Sequence, residues 1–197
     1  MPHYYSKEQT SDLRPEEIDI KIKNLSFKLI SGSGVFSKKR LDKGTEVLLK
    51  NLLMEDDWDV LDFGCGIGVV GIYVKKLFPN TNVTFSDVNQ RAVFLTRENL
   101  KKHNLEGKTI ISDGTKKIKN NFNTILLNPP QVAGKKVCFR LIEESFQNLK
   151  KNGLLQLVAR HNKGGKTYSK HMEEVFGNVK DAGIGSGYRL YVSQKKN

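Results

Sequence analysis

The sequence is short of the features that define several large classes of protein. It has two cysteines, Cys65 and Cys138, in 197 residues. They stand far apart and outside any metal-type spacing, which argues against a disulfide scaffold or a zinc ribbon. The four histidines form no ligand pattern either, so no metal is expected. No apolar run approaches the roughly 20 residues needed to cross a bilayer, so no membrane partner is expected. Met1 to Glu8 is polar and does not read as a secretory leader. The default is therefore a reducing, cytoplasmic setting with free thiols in the core. Repeats and low-complexity tracts are missing. Acids are scarce beside bases: 21 Asp+Glu against 33 Lys+Arg, a formal charge of +12. Such a surface attracts polyanions, with RNA or DNA first among them. Charge alone leaves open a lysine-rich surface that only confers solubility. The oligomeric state is not written in the sequence.

What is present fits one globular domain, with 38% hydrophobic and 27% charged residues. Ile18, Ile20 and Ile22 alternate with polar residues, and Leu25, Phe27 and Leu29 repeat the pattern, with Asn24 to supply the turn. Gly32-Ser33-Gly34 ends this hairpin. Asp42 can cap a helix with Val47, Leu48, Leu52 and Leu53 on its apolar face. Residues 1–55 thus form an N-terminal extension, and residues 56–197 a domain of different texture. There Val60-Leu61-Asp62-Phe63, Val83-Thr84-Phe85, Thr109-Ile110-Ile111 and Thr124-Ile125-Leu126-Leu127 are short strands separated by helices. A helix from Val137 to Leu149 is stopped by Gly153, and Leu154 to Val158 make a fifth strand. A further helix carries Met172 and Phe176. Val179 to Ile184 then pairs with Tyr188 to Val192 across Gly185-Ser186-Gly187. The expected fold is α/β, Rossmann-like and doubly wound. Its mostly parallel seven-stranded sheet carries an antiparallel C-terminal hairpin, preceded by the N-terminal hairpin and helix. In such sheets ligands lie beyond the carboxyl ends of the strands.

The loop after the first core strand is Asp62-Phe63-Gly64-Cys65-Gly66-Ile67-Gly68. Its glycines let the backbone approach a ligand. A plain tight turn or a dinucleotide site shares that feature, although Val69 stands where the third dinucleotide glycine belongs. Asp62 tips the reading, because a carboxylate there repels a pyrophosphate and suits a ligand with an ammonium group, such as S-adenosylmethionine. Asp87, with Val88 beside it, ends the second strand 23 residues after Gly64. That is close to the spacing of a ribose-binding acid. Asp113-Gly114 ends the third strand, where Asp113 can meet an adenine amino group. Both acids also have a reading as helix caps. The fourth strand ends in Asn128-Pro129-Pro130-Gln131. Two prolines stiffen this corner and push Asn128 toward an extended conformation. Such a corner can aim the Asn128 side chain and the Pro129 carbonyl at an amino group. Two acceptors on the hydrogens of an exocyclic base amine favour a pyramidal nitrogen whose lone pair faces the sulfonium methyl.

The strings VLDFGCGIGVVGI, FSDVN, ISDG and LLNPP resemble the class I methyltransferases across Val60 to Pro130. The upstream GVFSKKRLDKGTEVLL, Gly34 to Leu49, is similar to the small-subunit ribosomal RNA guanine-N2 methyltransferases and their short archaeal-type relatives. The likeness continues through Gly134-Lys135 and Gly187-Tyr188-Arg189, and so covers most of the chain. In bacterial members it is confined to the C-terminal half. The resemblance implies methyl transfer from S-adenosylmethionine to guanine N2 of ribosomal RNA. It also implies a Gly-Val-Phe-Ser segment that closes over the cofactor, with Phe36 as a pocket wall and Asp42 and Thr45 as polar contacts. The cofactor set is then Phe36, Thr45, Asp62, Gly64, Cys65, Gly66, Asp87, Val88, Asp113, Gly114 and Asn128. Asn128, Pro129 and Pro130 form the catalytic corner.

One departure concerns Gln131, since amine methyltransferases with this loop often carry an aromatic residue there to stack on the flipped base. The glutamine disfavours adenine-N6 chemistry on DNA and leaves Phe36, Phe139 or Tyr188 to stack. Lys38, Lys39, Arg40, Gln131, Lys135 and Lys136 are the candidate RNA contacts at the mouth. Two rivals remain: a protein glutamine methyltransferase, which the +12 charge and Gln131 oppose, and a non-catalytic RNA-binding or assembly protein that keeps the fold, which the intact Asn128-Pro129-Pro130 opposes.

Overall fold

The computed structural model describes residue 7, residues 12–36 and residues 40–196. The side chain of Gln131 is outside that description, as are Lys38 and Lys39. An N-terminal hairpin of β1 (Glu16–Ile22) and β2 (Leu25–Ser31) precedes α1 (Lys43–Lys50). The order then runs β3 (Asp59–Phe63), α2 (Val69–Leu77), β4 (Asn82–Asp87), α3 (Gln90–Lys102), β5 (Lys108–Ile111) and β6 (Phe122–Leu127). It closes with α4 (Lys135–Gln147), β7 (Leu149–Arg160), α5 (Lys166–Phe176), β8 (Lys180–Gly185) and β9 (Tyr188–Gln194). The main sheet has the order β5-β4-β3-β6-β7-β9-β8. β3 to β7 are parallel, while β9 runs antiparallel to both β7 and β8. This is the expected seven-stranded, Rossmann-like sheet.

The strand order reverses between β3 and β6, which opens a crevice at their carboxyl ends. Val60, Leu61, Ile125, Leu126 and Leu127 are buried, because helices cover both faces of these strands. One core holds the inner side of the hairpin (Ile18, Ile20, Ile22, Leu29) together with Val47 and Leu48 of α1 and Ile72 of α2. On the other face Leu61, Phe63, Ile125 and Leu127 pack with Cys138, Leu141, Met172 and Phe176.

Three local expectations need correction. The helix expected to end at Gly153 ends at Gln147, and Leu149 already belongs to β7, a strand of 12 residues. Gly153 lies inside that strand where its register with β6 shifts. A Cβ there would stand 2.9 Å from the Lys150 carbonyl and 3.0 Å from that of Phe122. The glycine marks a close backbone approach rather than a helix stop. In the first hairpin Lys23 (φ 51°), not Asn24, takes the left-handed position. In the last, Ser186 (φ 49°) and Gly187 (φ 77°) form a two-residue turn, so Gly185 stays in its strand.

The hairpin is tied to the main sheet by buried polar groups. The Asn99 amide nitrogen on α3 donates to the carbonyls of Ile30 (2.9 Å) and Ile67 (3.0 Å), and its oxygen accepts from the Ile30 N–H at 2.6 Å. Asn89 donates to the Gly34 carbonyl at 2.8 Å, and Arg91 to that of Ser33 at 2.9 Å. Asn99 thus couples the hairpin edge to the glycine-rich loop. Asn99→Ala leaves these backbone groups without protein partners and is expected to cost about 2–4 kcal/mol. Urea unfolding measures this, and a change below about 0.5 kcal/mol contradicts the assignment.

Candidate functional site

The loops that follow β3, β4, β5 and β6 meet in a cleft of about 260 Å³. Ten of the expected residues line it: Phe36, Gly64, Gly66, Asp87, Val88, Asp113, Gly114, Asn128, Pro129 and Pro130. A smaller cavity of about 50 Å³ adjoins it and is lined by Arg40, Asp42, Thr45, Asp62 and Cys65. Phe36, Gly64, Gly66 and Asn128 line both. The sequence motifs, scattered from residue 36 to residue 130, therefore converge on one place.

Gly64 (φ 76°) and Gly66 (φ 55°) occupy the left-handed region. A Cβ on either would meet nothing within 4 Å. The conformation favours glycine, and the space above the loop is open for a ligand to lie against the backbone. The third-glycine role of a dinucleotide turn falls to Gly71, where a Cβ would stand 2.2 Å from the Phe85 ring. That contact lets α2 pack against β4.

Asp62 is buried, and its Oδ2 accepts from the Gly71 N–H at 2.9 Å. Burial pushes its pKa up to about 7; the Gly71 bond opposes this and the nearby Asp87 adds to it. Asp87 accepts from the backbone amides of Gly66 at Oδ2 and Asn89 at Oδ1, both 2.9 Å, and from that of Val88. Burial lifts it to about 6, against those bonds. Asp87 does not cap α3. That cap is Asn89, whose oxygen accepts from the Arg91 and Ala92 amides. Both carboxylates sit where a cationic or hydroxyl-bearing ligand would relieve the cost of burying charge. Ser86 Oγ, on the same cleft, is buried without a hydrogen-bond partner among the described residues.

Asp113 lines the cleft, but its oxygens are engaged: Oδ1 accepts from Arg140 and Oδ2 from Lys116, both at 2.6 Å. Hydrogen bonds from Arg140, then Lys116, hold its pKa near 2. Arg140 also lines the cleft, a role that one cation inside an amphipathic helix does not signal in sequence. Asn128 donates its amide hydrogens to Asp42 Oδ2 (2.9 Å) and Thr45 Oγ1 (3.0 Å). Cys65 faces Thr96 Oγ1 at 3.6 Å, and burial pushes its thiol pKa up.

Of the three aromatic residues considered for stacking, Phe139 lies on the His171 ring (centroids 3.9 Å apart) and is spoken for by α5. Tyr188 is beside Arg160 and against Gly44, and lines neither cavity. Phe36 lines both and is 39% exposed. Lys135 and Lys136 are exposed in the first turn of α4 and line neither cavity. Arg40 lines the smaller cavity rather than standing only at the rim.

The chain belongs to the methyltransferase small domain family, whose model matches residues 26–192. It is 32% identical over 197 residues to the Bacillus subtilis protein YbxB, covering 98% of both. It is 36% identical over 180 residues to a Pseudomonas putida ribosomal RNA small subunit methyltransferase C, covering 89% of this chain. The chain spans about half the length of such relatives, 54% in that case. The Thermus thermophilus 16S rRNA guanine-N2 methyltransferase RsmC, solved with AdoMet and guanosine, superposes with a TM-score of 0.83 at 21% identity. That match covers 94% of this chain and 51% of the other, and concerns the fold. A Pyrococcus furiosus methyltransferase superposes with a TM-score of 0.66 at 21% identity, covering 76% of this chain and 80% of its own.

The raised carboxylates set a pH dependence. A carboxylate whose folded pKa lies above its unfolded value of about 3.9 contributes stability that is complete below that value. This is lost as pH rises through about 7 for Asp62 and about 6 for Asp87. Asp62→Asn keeps an acceptor for Gly71 but cannot ionise. Its thermal midpoint is expected to gain on the wild type steadily between pH 4 and 7.5 in ligand-free protein. A constant offset contradicts the assignment.

Proposed function

We propose that this chain transfers the methyl group of S-adenosylmethionine to the exocyclic N2 amine of a guanine in small-subunit ribosomal RNA. The observation that carries the reading is the Asn128 amide at the carboxyl end of β6. Its nitrogen is fully engaged by Asp42 and Thr45, beside the Gly64–Gly66 loop. The oxygen is then the end left to accept from an amine.

S-adenosylmethionine supplies an electrophilic methyl group on a sulfonium. The residues present fit it. Gly64 and Gly66 offer backbone to lie against, and Asp87 offers oxygens to ribose hydroxyls. Val88, Val137 and Leu141 make an apolar wall for a base. Arg40 and Asp62, on the smaller cavity, match the carboxylate and ammonium of an amino-acid end. Asp113, held between Arg140 and Lys116, closes the adenine side. Asn128 Oδ1 and the Pro129 carbonyl accept the two amine hydrogens and turn the nitrogen lone pair toward the methyl donor. The amine proton then leaves to water. Phe36 supplies the π-face that Gln131 lacks. The N-terminal extension, residues 1–55, acts on the cofactor site through described residues such as Phe36, Asp42 and Thr45. Lys135 and Lys136, with Lys38 and Lys39, contribute phosphate contacts that give affinity without sequence information.

An RNA substrate accords with the +12 charge and with the names of the relatives. A substrate of this kind accords with a cytoplasmic setting. Among the described residues no helix is long and apolar enough to cross a membrane.

The test supplies labelled S-adenosylmethionine with either small-subunit RNA or a purified release factor. Label is expected in RNA, on guanine N2. Asn128→Ala is expected to lose about 10²–10³-fold in kcat while cofactor Kd moves less than about threefold. Label on the release factor instead, or a wild-type rate in the variant, contradicts the proposal.

A further inference from the structure

We infer that Asp42 and Thr45 are positioning residues that lock the Asn128 amide with its oxygen toward the substrate amine. This rests on the reading of Asn128 given above and extends it to residues 86 and 83 positions away in sequence.

An asparagine amide has two ends of opposite function and similar shape: Oδ1 accepts, and Nδ2 donates. A half-turn about the last side-chain bond exchanges them. In the wrong orientation the amide would present hydrogens to an amine that itself presents hydrogens. Something must therefore choose between the two states, and the prolines that follow Asn128 constrain only its backbone.

The choice is made by the start of α1. An ionised carboxylate can only accept, and Asp42 Oδ2 stands 2.9 Å from Asn128 Nδ2. Thr45 Oγ1 stands 3.0 Å from the same nitrogen. The Thr45 hydroxyl is also 3.4 Å from Asp42 Oδ2, so its hydrogen can go to the carboxylate while its lone pair receives the amide. Both hydrogens of Nδ2 are thereby taken. Turning the amide over would set Oδ1 2.9 Å from the carboxylate oxygen, acceptor against acceptor, and take one donor from Asp42.

Asp42 is itself held. It is the N-cap of α1: its Oδ2 accepts from the Thr45 N–H at 2.9 Å, and its carbonyl from the Glu46 N–H at 2.9 Å. The helix is seated closely, since a Cβ on Gly44 would lie 2.9 Å from both the Tyr188 ring and Asp42 Oδ2. A helix outside the sheet thus sets the orientation of a side chain at the carboxyl end of a central strand.

The experiment separates capping from positioning. Asp42→Ser keeps an N-cap with a side chain too short to reach Asn128. Its melting temperature is expected to stay within about 3 °C of wild type while kcat falls about 10–100-fold at saturating cofactor and RNA. Cofactor Kd is measured alongside, because Asp42 lines the smaller cavity, and the loss in kcat is expected to persist when cofactor is saturating. Thr45→Val should lower kcat in the same direction, and Thr45→Ser should recover it. In nitrogen-15 spectra the Asn128 side-chain amide hydrogens should exchange with water faster in Asp42→Ser than in wild type. Wild-type kcat in both Asp42→Ser and Thr45→Val, alongside an inactive Asn128→Ala, overturns this inference and leaves the reading of Asn128 standing. Wild-type kcat in Asn128→Ala overturns both.

Discussion

The Asn128 amide nitrogen, bonded to Asp42 and Thr45, joins the start of α1 to the loop that ends β6. Much of the architecture serves to keep those two segments in register. The parallel sheet brings the end of β6 beside the end of β3, because the strand order reverses there. The hairpin and α1 lie over the opposite side of the same crevice, anchored by apolar burial and by Asn89, Arg91 and Asn99. A rigid scaffold on both sides lets a short polar side chain be aimed rather than merely located.

Charge inside the crevice follows a consistent logic. Asp62 and Asp87 are held in surroundings that disfavour ionisation and accept hydrogen bonds from backbone amides. Asp113, at the other end of the cleft, is held ionised by Arg140 and Lys116. The first pair stands ready for a ligand that brings positive charge or hydroxyl donors. The third acid is already satisfied and shapes the wall. Three carboxylates on successive strand ends thus do different work because of what surrounds each one.

The sheet was legible in the sequence because it depends on local pattern: short apolar strands alternating with helices, and glycines or acids at the strand ends. The cofactor loop, Asp87 and the Asn128-Pro129-Pro130 corner were legible because each is a contiguous motif whose place in strand order fixes its place in space. Less was visible where the partner lies far along the chain. Nothing near Asn128 points to Asp42, and nothing near Asp113 points to Arg140. Asn99, in the middle of a helix, reads as an ordinary polar residue until its partners Ile30 and Ile67 are seen. Gly153 misled because glycine stops helices and relieves bulges alike, and the deciding fact is the approach of Phe122 from another strand. Phe139 was a candidate for stacking until α5 supplied His171 to cover it.

The proposed activity has one chemical outcome, a methyl group on guanine N2 in small-subunit ribosomal RNA. Nucleoside mass mapping of that RNA, from cells with and without this gene, reads it directly. Loss of a single N2-methylguanosine in the deletion strain, restored by the wild-type gene and not by the Asn128→Ala gene, is the predicted result. An identical modification map in both strains would contradict it.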